Sequence, residues 1–184
     1  MPRTSEFLRH REHFAALCDY HELDCAVEVG THHGEFAEQF LRRWVNGYKL
    51  WCVDNYKPWQ GWPRDMDRLT ATIRLAPYLP RVQILEMESA DAARLLWEQH
   101  TPMKFIYIDA DHLYESVKRD IDIWWNVLRK GGVLAGHDYC EEHDGVRRAV
   151  VELEATGVPV YLTRDSRTYP SWYCFKPDEP KGPA

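Results

Sequence analysis

The chain has 184 residues, of which 45% are hydrophobic and 28% are charged, and its formal net charge is −6 at pH 7. This length favours one domain, and the hydrophobic content is enough for a core, which argues against a disordered chain. The negative charge argues against non-specific binding to nucleic acid or to an anionic membrane.

The sequence shows no sign of a membrane or secretory segment. No apolar run approaches the roughly 18 residues that suggest a membrane span, and the N-terminus lacks the apolar stretch of a signal peptide. The five cysteines are scattered and form no CxxC pair. We therefore expect a cytoplasmic protein with reduced thiols, in which Cys25, Cys52 and Cys174 are small core residues.

Apolar runs alternate with helical patterns along the chain. A helix is predicted over residues 5–18, and the last residues, 177–184, are rich in proline and charge and are predicted to form a loose tail beyond a single domain of residues 1–176. Five buried strands are predicted, with the sequences CAVEVG, KLWCVD, VQILEM, KFIYID and VLAGHD. Helical spacing of apolar residues between them predicts helices that carry Phe36, Phe40 and Trp44; Met66, Leu69 and Ile73; and Val117, Ile121, Trp124 and Leu128.

The end of the chain contains two further apolar runs, VPVYLT and SWYCFK, with little room for a helix between them. They are predicted to pair as an antiparallel hairpin. Regular alternation of strands and helices indicates a mostly parallel sheet that is covered by helices on both faces. We therefore predict a doubly wound, Rossmann-like α/β fold, in which ligands bind outside the carboxyl ends of the strands.

The first three strand ends carry a pattern typical of nucleoside binding. Gly30 and Gly34 follow the first strand, whereas the dinucleotide fingerprint G-x-G-x-x-G has a middle glycine where this chain has His32. A bulky residue there disfavours NAD or FAD and suits a ligand without a pyrophosphate. Asp54 ends the second strand. An acidic residue at about this distance along the chain from the glycine loop accepts hydrogen bonds from ribose hydroxyls. Each residue alone could be a turn or cap residue, but together they predict a cofactor site, with Glu88, Ser89 and Ala90 at the adenine edge; Ser89 is also a plausible N-cap.

The fourth and fifth strands end in titratable groups. Asp109, Asp111 and His112 follow KFIYI, and His137 and Asp138 follow VLAG. A lone histidine at a strand end is more often a cap than a catalytic group. Two histidines and three aspartates that converge beside a nucleoside pocket favour a function, with His112 or His137 as a general base and Asp109 and Asp138 as orienting groups or metal ligands.

The block IDADHLYESVKRDIDIWWNVLRKGGVLAGHDY, followed by GVRRAV, resembles the class I S-adenosylmethionine-dependent methyltransferases, and within them a group of small-molecule O-methyltransferases. The resemblance spans residues 25–173. It implies a seven-stranded sheet with an antiparallel last strand. The cofactor contacts that it implies come from Glu28, Gly30, Thr31, Gly34, Asp54, Asn55, Glu88, Ser89, Ala90 and Asp109.

Related enzymes bind a divalent metal through an acid after strand four and an acidic pair after strand five. Asp109 fits the first position, whereas His137 and Asp138 occupy the pair, and the histidine departs from the pattern. Either His137 is a ligand, since imidazole binds Mn²⁺ more readily than Mg²⁺, or the enzyme uses no metal and a histidine is the base.

The acceptor implied by the resemblance is a hydroxyl of a sugar or another small metabolite. Alternatives are a nitrogen or macromolecular acceptor and a nucleotide-binding oxidoreductase. Residues 55–63, with Tyr56, Trp59 and Trp62, are either a packed loop or an aromatic lid over the acceptor. The chain has little substrate-binding apparatus beyond its core, which favours completion of the site by a partner or by a second copy in a homodimer.

Overall fold

A computed structural model describes residues 2–58, 61–164 and 169–177 of the chain. The predicted tail, apart from Pro177, and Trp59 of the aromatic loop lie outside these residues. The described residues form one eight-stranded sheet and six α-helices. The strands are β1 (Arg3–Thr4), β2 (Cys25–Val29), β3 (Lys49–Asp54), β4 (Val82–Glu86), β5 (Phe105–Ile108), β6 (Val133–Gly136), β7 (Val160–Leu162) and β8 (Trp172–Phe175); the helices are α1 (Phe14–Tyr20), α2 (Glu35–Arg43), α3 (Asp65–Leu75), α4 (Ser89–Glu98), α5 (Tyr114–Val127) and α6 (Asp144–Ala155).

The strand order is β1-β7-β8-β6-β5-β2-β3-β4, and only β8 runs antiparallel to its neighbours. The predicted Rossmann-like sheet and its terminal hairpin are confirmed. The predicted number of seven strands is wrong by one, because the two-residue strand β1 adds to the edge at β7.

Helices cover both faces of the sheet, and the strands supply side chains to each face in turn. In β5, Ile106 and Ile108 belong to the core beneath α4, α5 and α6, whereas Phe105 and Tyr107 belong to the core beneath α1, α2 and α3. This alternation follows from the two-residue period of a strand. Trp44, Trp124 and Trp172 are among the largest fully buried side chains.

The N-terminal helix predicted over residues 5–18 is wrong in its first half. The chain is extended at β1, forms a 3₁₀ turn over Arg11–His13, and enters α1 only at Phe14. Ser5 explains the difference, because its hydroxyl accepts hydrogen bonds from the backbone N–H groups of Phe7 and Leu8 and bonds Tyr173 Oη at 2.9 Å. Serine side chains compete in this way with helical hydrogen bonds.

The apolar pattern of α3 also does not mark its buried face. Met66, Leu69 and Ile73 are exposed, whereas Ala71 and Leu75 are buried. Helix α3 connects the two strands at the β4 edge of the sheet, where less of its surface is covered. The faces predicted for α2 and α5 are confirmed, since their apolar residues lie in the two cores.

Candidate active site

The strand order reverses between β2 and β5, which is where ligands bind in doubly wound sheets. A cavity of about 1030 Å³ opens there, at the carboxyl ends of the strands. Most of the predicted cofactor residues line it, as do Asp109, Asp111, His112 and Asp138. Of the predicted site residues, Gly34, Ala90 and His137 do not line it. The predicted site residues are therefore mostly gathered around one space.

Gly30 allows the loop after β2 to pass close to the end of β5. Its φ is +95°, and a Cβ placed on it would lie 2.1 Å from the Asp109 carbonyl oxygen. A glycine is required on both counts, since side chains rarely adopt this φ and no side chain fits the gap. The Thr31 hydroxyl then donates to the Val53 carbonyl at 3.4 Å, which ties the loop to β3.

Glu28 lies at the floor of the cavity and is 1% exposed. Burial, followed by the charge of Asp109, raises the pKa of Glu28 well above its usual value. Its Oε2 atom has no hydrogen-bond partner among the residues that the structure describes. The floor of the cavity therefore offers an acceptor for a ligand donor.

Asp54 is bound on all sides by the protein itself. Oδ1 accepts from Tyr56 N (2.9 Å) and Arg64 Nη1 (3.0 Å), and Oδ2 accepts from His32 N (2.9 Å) and Arg64 Nη2 (3.2 Å). Four hydrogen bonds saturate a carboxylate. Two of them are fixed backbone bonds that orient the group, whereas the other two come from one side chain that can be displaced.

The strand-end residues beyond Asp54 are also hydrogen-bonded to one another. Glu88 accepts from Asn55 Nδ2 at 3.3 Å and pairs with Lys57. Ser89 begins α4, but it is not the predicted N-cap: Glu88 occupies that position and Ser89 Oγ accepts from Trp124 Nε1 at 2.8 Å. This bond links the pocket wall to the core beneath α5.

At the other end of the cavity, Asp138 holds two histidines. His112 Nε2 donates to Oδ2 at 2.8 Å, and His137 Nδ1 donates to Oδ1 at 2.7 Å. The φ of Asp138 is +60°, a left-handed conformation that aspartate tolerates better than most residues. Burial alone would raise the pKa of Asp138, but the hydrogen bonds from His112 and His137 outweigh it and hold this pKa well below its usual value.

The two histidines differ in what they face. The side chain of His112 is 42% exposed and lines both the large cavity and a small adjoining one, whereas that of His137 is 13% exposed and lines only the small cavity, with Val146 and Trp172. The hydrogen bond to Asp138 raises the pKa of His112. Since Nε2 of His112 is engaged by Asp138, its Nδ1 atom is the one left to accept a proton.

Asp109 lies between the two ends of the cavity. Arg11 Nη1 donates to its Oδ2 atom at 3.3 Å, and burial raises the pKa of Asp109. Asp111, in contrast, has a structural role. Its carboxylate accepts hydrogen bonds from the backbone N–H groups of His112 and Leu113 and from the Ser116 hydroxyl at the start of α5.

The predicted metal ligands do come together. Ligand atoms of Asp109, His137 and Asp138 lie within 4.8 Å of one another, which suits a shared divalent cation. Two carboxylates and an imidazole match the preferences of Mn²⁺ better than those of Mg²⁺. The same carboxylates are paired here with Arg11, His112 and His137. The donor set therefore fits a metal, provided that these pairs rearrange.

The aromatic loop contributes unequally to the cavity. Trp62 is 74% exposed and lines the cavity mouth. Tyr56 is buried, its hydroxyl donates to the His32 carbonyl at 3.1 Å, and the Arg64 guanidinium lies 5.4 Å from its ring centroid. Tyr56 is therefore a structural residue that does not itself line the cavity, whereas Trp62 does.

Sequence reasoning missed several charged residues that line the cavity, among them Arg11, Arg64 and Asp120. Arg11 and Arg64 reach the site from segments outside the strand ends, and no pattern in the sequence marks them. Asp120 did carry a signal, because a charged residue stands next to the apolar stripe of Val117, Ile121 and Trp124.

Comparison with known proteins decides the family. A methyltransferase domain family matches residues 27–139, which is more than half of the chain. The chain belongs to this family. The match includes the glycine loop, Asp54, and the strand ends that carry Asp109 and Asp138.

Solved structures show that this methyltransferase has the fold of larger relatives. It is similar to an O-methyltransferase from Bacillus cereus in complex with SAH (17% identity, 90% of this chain and 80% of that chain, TM-score 0.71). It is also similar to the O-methyltransferase TomG from Streptomyces achromogenes, involved in tomaymycin synthesis, in complex with SAM (15%, 91% and 79%, 0.70). A third is a putative caffeoyl-CoA O-methyltransferase from Staphylococcus aureus (14%, 90% and 82%, 0.68).

The described part of the chain contains no helix with both the length and the apolar character needed to cross a bilayer.

Proposed function

We propose that this methyltransferase transfers a methyl group from S-adenosylmethionine to a hydroxyl group of a small molecule. The observation that carries the proposal is the shared cavity, which is lined by the Gly30 loop and Asp54 on one side and by His112 and Asp138 on the other. One space thus offers a nucleoside site and a proton acceptor. The O-methyltransferases with similar folds, two of them bound to SAH or SAM, support the same cofactor and acceptor atom.

The cofactor site is assigned from the hydrogen-bonding groups of the cavity. The ribose hydroxyls would replace the two Arg64 bonds to Asp54, since the backbone bonds from His32 and Tyr56 keep the carboxylate in place. The ammonium group of the methionine portion is the donor that suits Glu28 and Asp109 at the floor. This orientation directs the sulfonium towards His112.

Methyl transfer needs alignment and removal of one proton. An oxygen lone pair of the acceptor attacks the methyl carbon, the carbon–sulfur bond breaks with its electrons going to sulfur, and the hydroxyl proton goes to His112 Nδ1. Asp138 holds the opposite nitrogen of the same ring at 2.8 Å, so the ring is already oriented and the imidazolium that forms is stabilised. The products are an ether and neutral S-adenosylhomocysteine.

A divalent metal is compatible with this site. Asp109, His137 and Asp138 would hold it, and it would supply a lower pKa for the acceptor hydroxyl. His112 lines the same cavity, so it would remain beside the acceptor in either case. Measuring activity after chelation, and again with added Mn²⁺ or Mg²⁺, decides whether the ion is required.

The first test concerns the cofactor. Asp54→Ala is expected to weaken binding of S-adenosylhomocysteine about ten- to a hundredfold, because a hydrogen bond to a charged group contributes about 1.5–3 kcal/mol. Isothermal titration calorimetry measures the change. Glu86→Ala is the matched control, since Glu86 is paired in register with Asp54 at the next strand end and its side chain is 55% exposed. No binding by the wild type would contradict the proposed cofactor.

The second test concerns the acceptor. Wild-type enzyme with radiolabelled S-adenosylmethionine is expected to label phenols, catechols or sugar diols, and the labelled bond is identified by mass spectrometry. Transfer only to amines or to an oligonucleotide would contradict the hydroxyl acceptor and favour the nitrogen or macromolecular alternative.

A further inference from the structure

Asp120 is a buried acidic side chain whose hydrogen-bonding capacity the surrounding protein does not fully satisfy. It lies on α5 beside the apolar stripe of Val117, Ile121 and Trp124 and is 4% exposed. Its Oδ1 atom has no hydrogen-bond partner among the residues that the structure describes. Yet Asp120 lines the large cavity, next to Glu88 and Ser89.

A buried carboxylate oxygen without a donor destabilises a protein. Burial raises the pKa of Asp120, and the Ser89 hydroxyl and the charge of Arg119 only partly oppose it. Because the cavity adjoins Asp120, a bound ligand can provide the missing donor. The structure therefore calls for a ligand with an N–H or O–H group at this end of the cavity.

The proposed function fixes which part of the cofactor reaches this end, and the inference rests on it. With the ribose at Asp54 and the sulfonium towards His112, the base extends towards the loop after β4, where Met87, Glu88 and Ser89 line the cavity. Adenine carries an exocyclic amino group with two N–H bonds. It is the donor that the base presents along its edge.

We propose that Asp120 accepts a hydrogen bond from the 6-amino group of the cofactor's adenine, and that it thereby selects a 6-aminopurine over a 6-oxopurine. A 6-oxopurine would place a carbonyl oxygen against the carboxylate, so that two acceptors face each other. Discrimination of this kind is strong because it leaves buried polar groups unpaired.

The test compares S-adenosylhomocysteine with S-inosylhomocysteine, which differs at position 6 of the purine. Calorimetry on the wild type is expected to show preference for the adenine compound by about a hundredfold. Asp120→Asn replaces the carboxylate by an amide that can donate to the 6-oxo group as well as accept from the 6-amino group, so the preference is expected to fall by about tenfold or more through tighter binding of the inosine compound and loss of the charged acceptor. Asp122→Asn, on the exposed face of the same helix, is expected to keep the wild-type ratio.

The change in the ratio separates recognition from support of the fold, because a structural role would weaken both ligands equally. Asp120→Ala is a second variant that should also lose the discrimination if Asp120→Asn does not fold. An unchanged ratio in the folded variants, or a wild-type ratio near one, would overturn the role of Asp120 and leave the proposed function intact. No binding of either ligand by the wild type would overturn both.

Discussion

Replacement of His112 by alanine is expected to lower kcat by about two to four orders of magnitude, the range that a general base contributes. His112 is the histidine of the pair that lines the large cavity, and Asp138 holds its Nε2 atom at 2.8 Å. Without it, the acceptor hydroxyl has no oriented imidazole to take its proton. Binding of S-adenosylhomocysteine is expected to stay unchanged, because the cofactor groups lie on the other side of the cavity.

The measurement is a steady-state assay with the acceptor found by the screen, together with calorimetry of cofactor binding. His143→Ala is the local control: the His143 ring stacks on that of His112 at 4.0 Å, so this variant removes the neighbour and keeps the proton acceptor. We expect a loss of less than about tenfold from it, since His143 does not line the large cavity and its ring packs against that of His112. Full activity in His112→Ala would contradict the role assigned to this residue.

The fold could be predicted from the sequence because its strands are short, apolar and regularly spaced between helical patterns. Two of the failures have local causes. Ser5 forms hydrogen bonds that compete with a helix, and α3 packs through Ala71 and Leu75 while its larger apolar residues are exposed. Periodicity finds a helix, but at the edge of a sheet it does not show which face is covered.

The site was predictable where its residues follow strand ends, since the carboxyl ends of parallel strands share one edge of the sheet. This rule placed Asp54, Asp109, His112 and Asp138 around one cavity. It could not show that Arg64 binds Asp54 or that Arg11 binds Asp109, because side-chain pairing across loops depends on tertiary packing. It also could not separate His112 from His137, which differ in exposure and in whether they line the large cavity.

Gly30→Ala is expected to have the largest effect on stability and to abolish cofactor binding. Two penalties combine: the left-handed φ of +95° and a Cβ that would lie 2.1 Å from the Asp109 carbonyl oxygen. Since that oxygen belongs to the backbone at the end of β5, the gap can open only if β2 and β5 separate. We expect a decrease of about 2–5 kcal/mol in the free energy of unfolding.

Gly157→Ala separates the two penalties. Gly157 has a φ of +96°, but a Cβ placed there meets nothing within 4 Å, so only the backbone penalty of about 1–2 kcal/mol should remain. Urea denaturation measures the free energy of unfolding of both variants. The difference between the two decreases is the cost of placing a Cβ where the loop approaches Asp109. Equal decreases in the free energy of unfolding would mean that the loop after β2 can move away from Asp109 at little cost. The cofactor and proton-acceptor sides of the cavity would then not be held at a fixed distance, as in-line methyl transfer requires.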